Sequence, residues 1–303
     1  MILSHKRRIA MELAKFSGIL PALMTAFAEN GIDCQKIAAH VERLKAAGVH
    51  GLYVGGSSGE MVLCSNEERR RLLECVMENA GELTVIAHIG TLSTKDSEAL
   101  GRHARACGAD AVSSVTPLYY KYTFEQIKTY YRRLCEASEL PLIIYNIPAI
   151  SGTTLNFDQL CELLELPGVG GMKFTCSDFF QLNRLVTRYP DKIFYNGSDE
   201  MLLSGLAAGA HGGIGTTYNF MPDRILAIYD RFRAGDLAGA QAAQTLVNRV
   251  IAEVLRYGAV PGSKAMIAIT GFDYGICREP FLPLTEEEMQ DLRHTAGRIL
   301  AEE

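Results

Sequence analysis

The stretch Val169-Gly170-Gly171-Met172-Lys173-Phe174-Thr175 decides how the chain is read. It is short and largely apolar, and with a period of two it puts Met172 and Phe174 on one face and Lys173 and Thr175 on the other. Seven further runs share its character: Gly18–Met24, Gly51–Gly55, Thr84–Ile89, Ala111–Thr116, Pro141–Asn146, Lys192–Asn196 and Gly212–Thr216. Each spans five to seven residues, as strands of a parallel sheet covered on both faces do.

The segments between the runs read as helices with identifiable ends. Ile37, Val41 and Leu44 recur at helical spacing before Gly48, which suits a C-terminal cap. Ser65 with Glu68 and Thr123 with Gln126 form capping boxes, and Pro222 suits a first helical turn. Eight strand–helix units over about 230 residues predict an α/β fold, a closed (β/α)8 TIM barrel. A doubly wound sheet would show fewer strands and a glycine-rich nucleotide turn. From 234 onward the pattern is helical only: Leu237–Tyr257, a piece near Ala265, and Glu286–Ala301. The expected organisation is a barrel over 16–233 with a helical extension over 234–303 packed on it.

Composition narrows the function. The 303 residues are 48% hydrophobic and 21% charged, enough to build a large core, and the net charge of -5 argues against a nucleic-acid surface. The one basic run, Lys6-Arg7-Arg8, is too short to alter that. Met1–Phe16 lacks the features of a cleaved leader, and no run approaches the roughly 18 apolar residues that cross a bilayer. The eight cysteines stand singly, without a C-x-x-C pair, and are expected to be reduced core residues of a cytoplasmic protein.

In such barrels the working face lies at the C-terminal ends of the strands. Those ends carry Thr25, Ser57, Ser58, Gly90, Thr116, Tyr145, Lys173 to Thr175, Asn196 to Asp199 and Gly215 to Thr217, a small and hydroxyl-rich set. Lys173 is the leading candidate: burial disfavours an ammonium, and the free amine it favours condenses with ketones. A strand-end lysine in a salt bridge is the alternative. Tyr145 is placed to relay a proton or simply to pack. The turn Gly55-Gly56-Ser57-Ser58-Gly59-Glu60 offers N–H groups and hydroxyls to a carboxylate or phosphate. It also matches the G-x-S-x-G elbow of hydrolases, with Asp199 and His211 in the required order. His211, however, precedes its strand and should sit at the wrong end of the barrel. The seven histidines show no ligand pair at metal spacing, and no nucleotide loop is present, so neither metal nor cofactor is expected.

Three of these motifs together, Gly55–Glu60, Tyr145-Asn146-Ile147-Pro148 and Gly171–Thr175, resemble the superfamily of N-acetylneuraminate lyases and dihydrodipicolinate synthases. The resemblance runs from about Gly18 into the C-terminal helices. Tyr195-Asn196-Gly197 with Asp199-Glu200, and Gly212–Gly215 with Tyr218-Asn219, resemble the sialic acid lyase branch. Ile150 stands where the synthases carry an arginine. The resemblance implies a class I aldolase that reversibly cleaves N-acetylneuraminate to N-acetylmannosamine and pyruvate. Lys173 would form the Schiff base, and Tyr145 would move the proton at the C4 hydroxyl. Ser57 and Ser58 would hold the carboxylate, Ser57 also relaying protons, while Thr175, Gly197, Asp199, Glu200, Gly215 and Thr216 would bind the polyhydroxy tail. Tyr119 resembles an aromatic that enters a neighbouring subunit's site, which implies a homotetramer. Ser198 and Val260 depart from the aromatics common in the lyases and imply a wider outer pocket. The alternatives are a 2-keto-3-deoxy sugar acid aldolase, a dihydrodipicolinate synthase, or a ligand-binding sensor without catalysis.

Overall fold

A computed structural model describes residues 12–302; the run Lys6-Arg7-Arg8 and most of Met1–Phe16 lie outside the described residues. The eight predicted runs form strands β1 (Gly18–Pro21), β2 (Gly51–Val54), β3 (Thr84–His88), β4 (Ala111–Val115), β5 (Leu142–Asn146), β6 (Val169–Phe174), β7 (Ile193–Asn196) and β8 (Gly212–Gly215). They pair in parallel in the order β1-β8-β7-β6-β5-β4-β3-β2. Ala22 bridges Tyr53 to close the ring, and the Leu23 N–H donates to the Tyr53 carbonyl at 2.8 Å. Most ladders stop one or two residues short of the sequence runs, and the leftover residues, such as Thr116, Thr175 and Thr216, line the C-terminal rim.

Helices α1 (Cys34–Ala46), α2 (Asn66–Ala80), α3 (Thr94–Ala106), α4 (Phe124–Ser138), α5 (Phe157–Leu164), α6 (Phe179–Arg188), α7 (Leu202–Ala207) and α8 (Pro222–Arg233) alternate with the strands. Both predicted capping boxes are formed, and Asn156 with Gln159 adds a third before α5. The alternation of side chains sorts the core into two layers. Leu52, Val54, Ile144, Met172 and Phe174 pack outward beneath the helices. Leu20, Tyr53, Ile86, Ile143, Ile193, Tyr195 and Ile214 fill the barrel, with Phe16 of a short helix, Leu13–Phe16, packed into the same layer.

Beyond α8 the chain forms α9 (Leu237–Leu255), α10 (Ala259–Ile269) and α11 (Glu286–Leu292), the last running on through a π-helical turn at Arg293–Gly297. Val247, Val250, Met266, Ile267 and Tyr274 belong to the same continuous core as the outer face of the barrel. The Tyr274 hydroxyl donates to the Met24 carbonyl at 2.9 Å.

The reading of eight separate thiols needs one correction. Cys34 and Cys75 are joined as a disulfide, with Cα atoms 5.5 Å apart. Their 41-residue separation hid this in the sequence, but α1 and α2 are neighbours around the barrel. The other six cysteines are free. Among the described residues no helix is long and apolar enough to cross a membrane.

Candidate active site

Alternation along β6 turns Lys173 into the barrel, where it is 4% exposed. Tyr145 of β5 is its register partner on one side and Tyr195 of β7 on the other. The Lys173 Nζ lies 4.1 Å from the centre of the Tyr145 ring and 4.8 Å from that of Tyr53. Among the described residues it makes no ion pair, so the salt-bridge alternative is not realised. Tyr53 is held in turn: its hydroxyl donates to Ser113 Oγ at 3.0 Å, and Ser113 donates to the Ile143 carbonyl at 2.7 Å. Burial pushes the Tyr53 phenol well above its ordinary range, so it stays protonated. Sequence reasoning passed over Tyr53 as an inward residue, although Leu52 and Val54 on either side were signal enough.

Beside the lysine, glycine is required for lack of room. A Cβ on Gly197 would come within 1.8 Å of Thr175 Oγ1 and 3.1 Å of Lys173 Cε. Thr175 Oγ1 itself is buried without a hydrogen-bond partner among the described residues, which leaves it available to a bound molecule. At Gly215 a Cβ would lie 2.2 Å from Asp199 Oδ1. Asp199 is buried, and its Oδ2 accepts both the N–H and the hydroxyl of Thr217 at 2.7 Å. Burial raises its pKa, while the Thr217 hydrogen bonds and the charge of Lys173 oppose the rise. Thr217 was expected at this rim from the sequence, but its hold on Asp199 was not.

The serine turn sits at the end of β2. Ser57–Gly59 form a single 3-10 turn between Gly55, at φ +71°, and Glu60, at φ +59°. The Thr25 hydroxyl donates to the Gly59 carbonyl at 2.8 Å, and Ser58 Oγ meets Thr216 Oγ1 at 2.6 Å. Ser57 is half-buried at the mouth. Glu200 is exposed on the rim, and Tyr119, 86% exposed, stacks edge-on against Tyr120 on the outside of the mouth. The structure therefore brings Lys173, Tyr145, Thr175 and Gly197 into one group, and links Ser58 to Thr216 and Asp199 to Gly215. Tyr119 stays apart.

The rival constellations come out differently. His211 lies at the N-terminal end of β8, where its Nδ1 accepts the Phe194 N–H at 3.2 Å, so it cannot serve Ser57 at the other end of the barrel. His88 is buried and accepts the Val115 N–H at 3.2 Å. Burial, then the charges of Arg69 and Lys173, hold it well below the usual histidine range. One histidine has acidic and thiol neighbours away from the mouth. His103 and Cys107, four residues apart at the end of α3, approach to 3.5 Å, and Glu74 of α2 is 2.9 Å from the same ring nitrogen. This trio lies in the helical layer and contributes nothing to the mouth.

Fold and site together define a (β/α)8-barrel protein with an amine buried among hydroxyls at the C-terminal mouth, the equipment of an imine-forming enzyme. A family model, the dihydrodipicolinate synthetase family, matches residues 15–299. The chain belongs to that family. It is 45% identical over 290 residues to the N-acetylneuraminate lyase of Rhizobium meliloti, covering 95% of this chain and 96% of that relative. It is 42% identical over 289 residues to the lyase of the same name from Citrobacter koseri, with 94% and 97% covered. A sialic acid aldolase of Ruminococcus gnavus, solved as a catalytic lysine mutant, superposes with a TM-score of 0.91 at 32% identity over 95% of this chain and 96% of that one.

Proposed function

We propose that this protein is a carbon–carbon lyase that cleaves N-acetylneuraminate to N-acetylmannosamine and pyruvate, reversibly, through an imine on Lys173. The observation that carries the reading is a buried Lys173 that makes no ion pair among the described residues and packs against Tyr145 and Tyr53, in a chain so similar to named lyases. The Lys173 amine adds to the C2 ketone, and water departs with uptake of one proton to leave a protonated imine. The Tyr145 hydroxyl then relays the proton of the C4 hydroxyl as the C3–C4 bond breaks, passing its own proton on to the substrate carboxylate so that it gains none. The bonding pair flows into the imine and leaves an enamine, and the sugar departs as an aldehyde. Protonation at C3 and addition of water release pyruvate and restore the amine. The imine is the electron sink, so these steps call on no cofactor.

Ser57 and Ser58 grip the carboxylate, and Thr175, Gly197, Asp199, Glu200, Gly215 and Thr216 meet the polyhydroxy tail. Asp199, kept buried by its two bonds to Thr217, suits a group that reads hydroxyls rather than one that transfers protons. The exposed pair Tyr119 and Tyr120 supports assembly into a homotetramer in which Tyr119 reaches a neighbour's mouth. Six of the eight cysteines are free and only Cys34 and Cys75 are joined, and on that balance we place the protein in the cytoplasm.

The test is borohydride reduction in the presence of pyruvate, followed by mass mapping. A stable adduct on Lys173, with release of pyruvate from N-acetylneuraminate, is expected, and Lys173→Ala should abolish both in a folded protein. An untrapped but folded wild type would overturn the mechanism. Faster turnover of 2-keto-3-deoxygluconate than of N-acetylneuraminate would overturn the substrate.

A further inference from the structure

We propose that Glu60 and Lys264 are positioning residues, a buried ion pair through which the C-terminal extension sets the geometry of the serine turn. This rests on the reading of that turn as the seat of the substrate carboxylate.

Lys264 sits in the middle of α10 within the run Pro261-Gly262-Ser263-Lys264-Ala265-Met266-Ile267, where nothing else is charged. It is 1% exposed, and its Nζ meets Glu60 Oε1 at 2.7 Å and the Ile276 carbonyl at 2.9 Å. The Glu60 side chain is fully buried, and its Oε2 accepts the Arg278 N–H at 2.7 Å. The Phe27 ring lies beneath both cations, 4.7 Å from Lys264 and 4.2 Å from Arg278. Arg278 in turn forks onto Glu68 at 2.6 and 2.8 Å and donates to the Leu63 carbonyl at 3.0 Å. Three successive points after the serines, Glu60, Leu63 and Glu68, are thus tied to residues 264–278.

The backbone shows what the pair controls. Glu60 adopts φ +59°, a left-handed conformation that a glutamate takes only when its surroundings impose it. Its N–H donates to the Ser57 carbonyl at 3.0 Å, and the next N–H, of Met61, donates to Gly56 at 3.3 Å. A change in the Glu60 backbone therefore turns the peptides of Ser57 and Ser58. Burying two charges is a poor means of gaining stability, because desolvation offsets their attraction and an apolar pair does as well. Directional bonds to both carboxylate oxygens, by contrast, fix an orientation that an apolar contact leaves free. None of these groups reaches Lys173 or Tyr145, so their influence on the reaction is indirect.

The test compares pyruvate-dependent borohydride trapping on Lys173 in the full-length protein, wild type and variant, with melting temperature measured in parallel. Glu60→Gln and Lys264→Met each strand a buried charge, so both should lower the melting temperature. Both should also raise the pyruvate concentration for half-maximal trapping about tenfold, the scale of a small misplacement in a site. The uncharged combination Glu60→Gln with Lys264→Met should recover most of the melting temperature and yet keep the tenfold rise. It also carries the test if the single variants fail to fold. Leu163→Ala in α5, a buried residue away from the mouth, should lower the melting temperature without moving the trapping curve. A combined variant that traps pyruvate with the wild-type concentration dependence overturns the positioning role. A wild type that traps none overturns the lyase reading instead.

Discussion

Tyr145 lies across the ladder from Lys173, and the contact between its ring and the amine leaves the hydroxyl as the reactive end of the side chain. Removing that hydroxyl separates imine formation from bond cleavage. Tyr145→Phe should still be trapped by borohydride with pyruvate, while kcat for N-acetylneuraminate falls by about a hundredfold or more, the usual worth of a positioned proton carrier. Retention of full turnover would move the proton to another group. Gly197 offers a second, steric probe. Its substitution by alanine puts a carbon against the Thr175 hydroxyl and the Lys173 stem, and a packed interior transmits that displacement rather than absorbing it. Gly197→Ala should therefore lose both trapping and turnover, whereas Thr175→Val should spare trapping and raise KM.

At the scale of elements, Glu68 holds two roles. It completes the capping box of α2 with Ser65, and it is the bidentate partner of Arg278. Arg278 holds its carboxyl down at about 2. Ser65→Ala removes a cap and should cost about 1 kcal/mol, while Glu68→Ala also strands a guanidinium and should cost about 2–3 kcal/mol. Urea denaturation of the two variants checks the order, and equal losses would mean that the ion pair contributes nothing. The capping box was legible in the sequence because its parts are three residues apart. The Arg278 fork was not, because its partners are 210 residues apart. The same division runs through the site. Lys173 and Tyr145 could be read from alternation within one strand. The pairing of Asp199 with Thr217, and of Glu60 with Lys264, depends on closure of the barrel and on how α10 lies across it. A lone lysine in the apolar run of α10 was the one local hint. The Cys34–Cys75 bond was hidden for the same reason, since it joins two helices that only the fold makes neighbours.

Four histidines, His40, His50, His88 and His211, make the whole molecule sensitive to acid. His40 of α1 lies against Phe272 and Tyr274, and its Nε2–H donates to Asn219 Oδ1 at 3.2 Å. Burial above all, with the charge of Arg43 adding to it, pushes His40 down to about 4. His88 is lowered well below its usual range, and His50 and His211 move in the same direction, each mainly by burial. In the unfolded chain these rings titrate near 6.5. Between about 6.5 and 4 the unfolded state thus binds protons that the native state refuses, so stability is fully present above 6.5 and is lost as the pH falls through that window. His40 alone accounts for about 3 kcal/mol of this. Below it the loss continues with the same sign, because Glu68 holds its charge down to about 2 in the native protein and its contribution disappears between about 4.5 and 2. The urea midpoint should therefore fall steadily from pH 7 to pH 4, and His40→Phe should flatten the slope even if it lowers the midpoint at pH 7. A midpoint constant from pH 7 to 4.5 would contradict the burial of these rings. The loss should also reach the mouth. Asn219 ties the histidine to the barrel, taking the Met24 N–H at 3.2 Å and donating to the Ala22 and Thr216 carbonyls at 2.8 Å. Protonation of His40 removes no bond from Asn219 directly, but it sets an unpaired buried charge against the residue that ties Ala22, after β1, to Thr216, after β8, and Thr216 meets Ser58. Pyruvate trapping on Lys173 should accordingly fail in the same pH range as the global transition, and it should not survive into acid as a separate, more stable core.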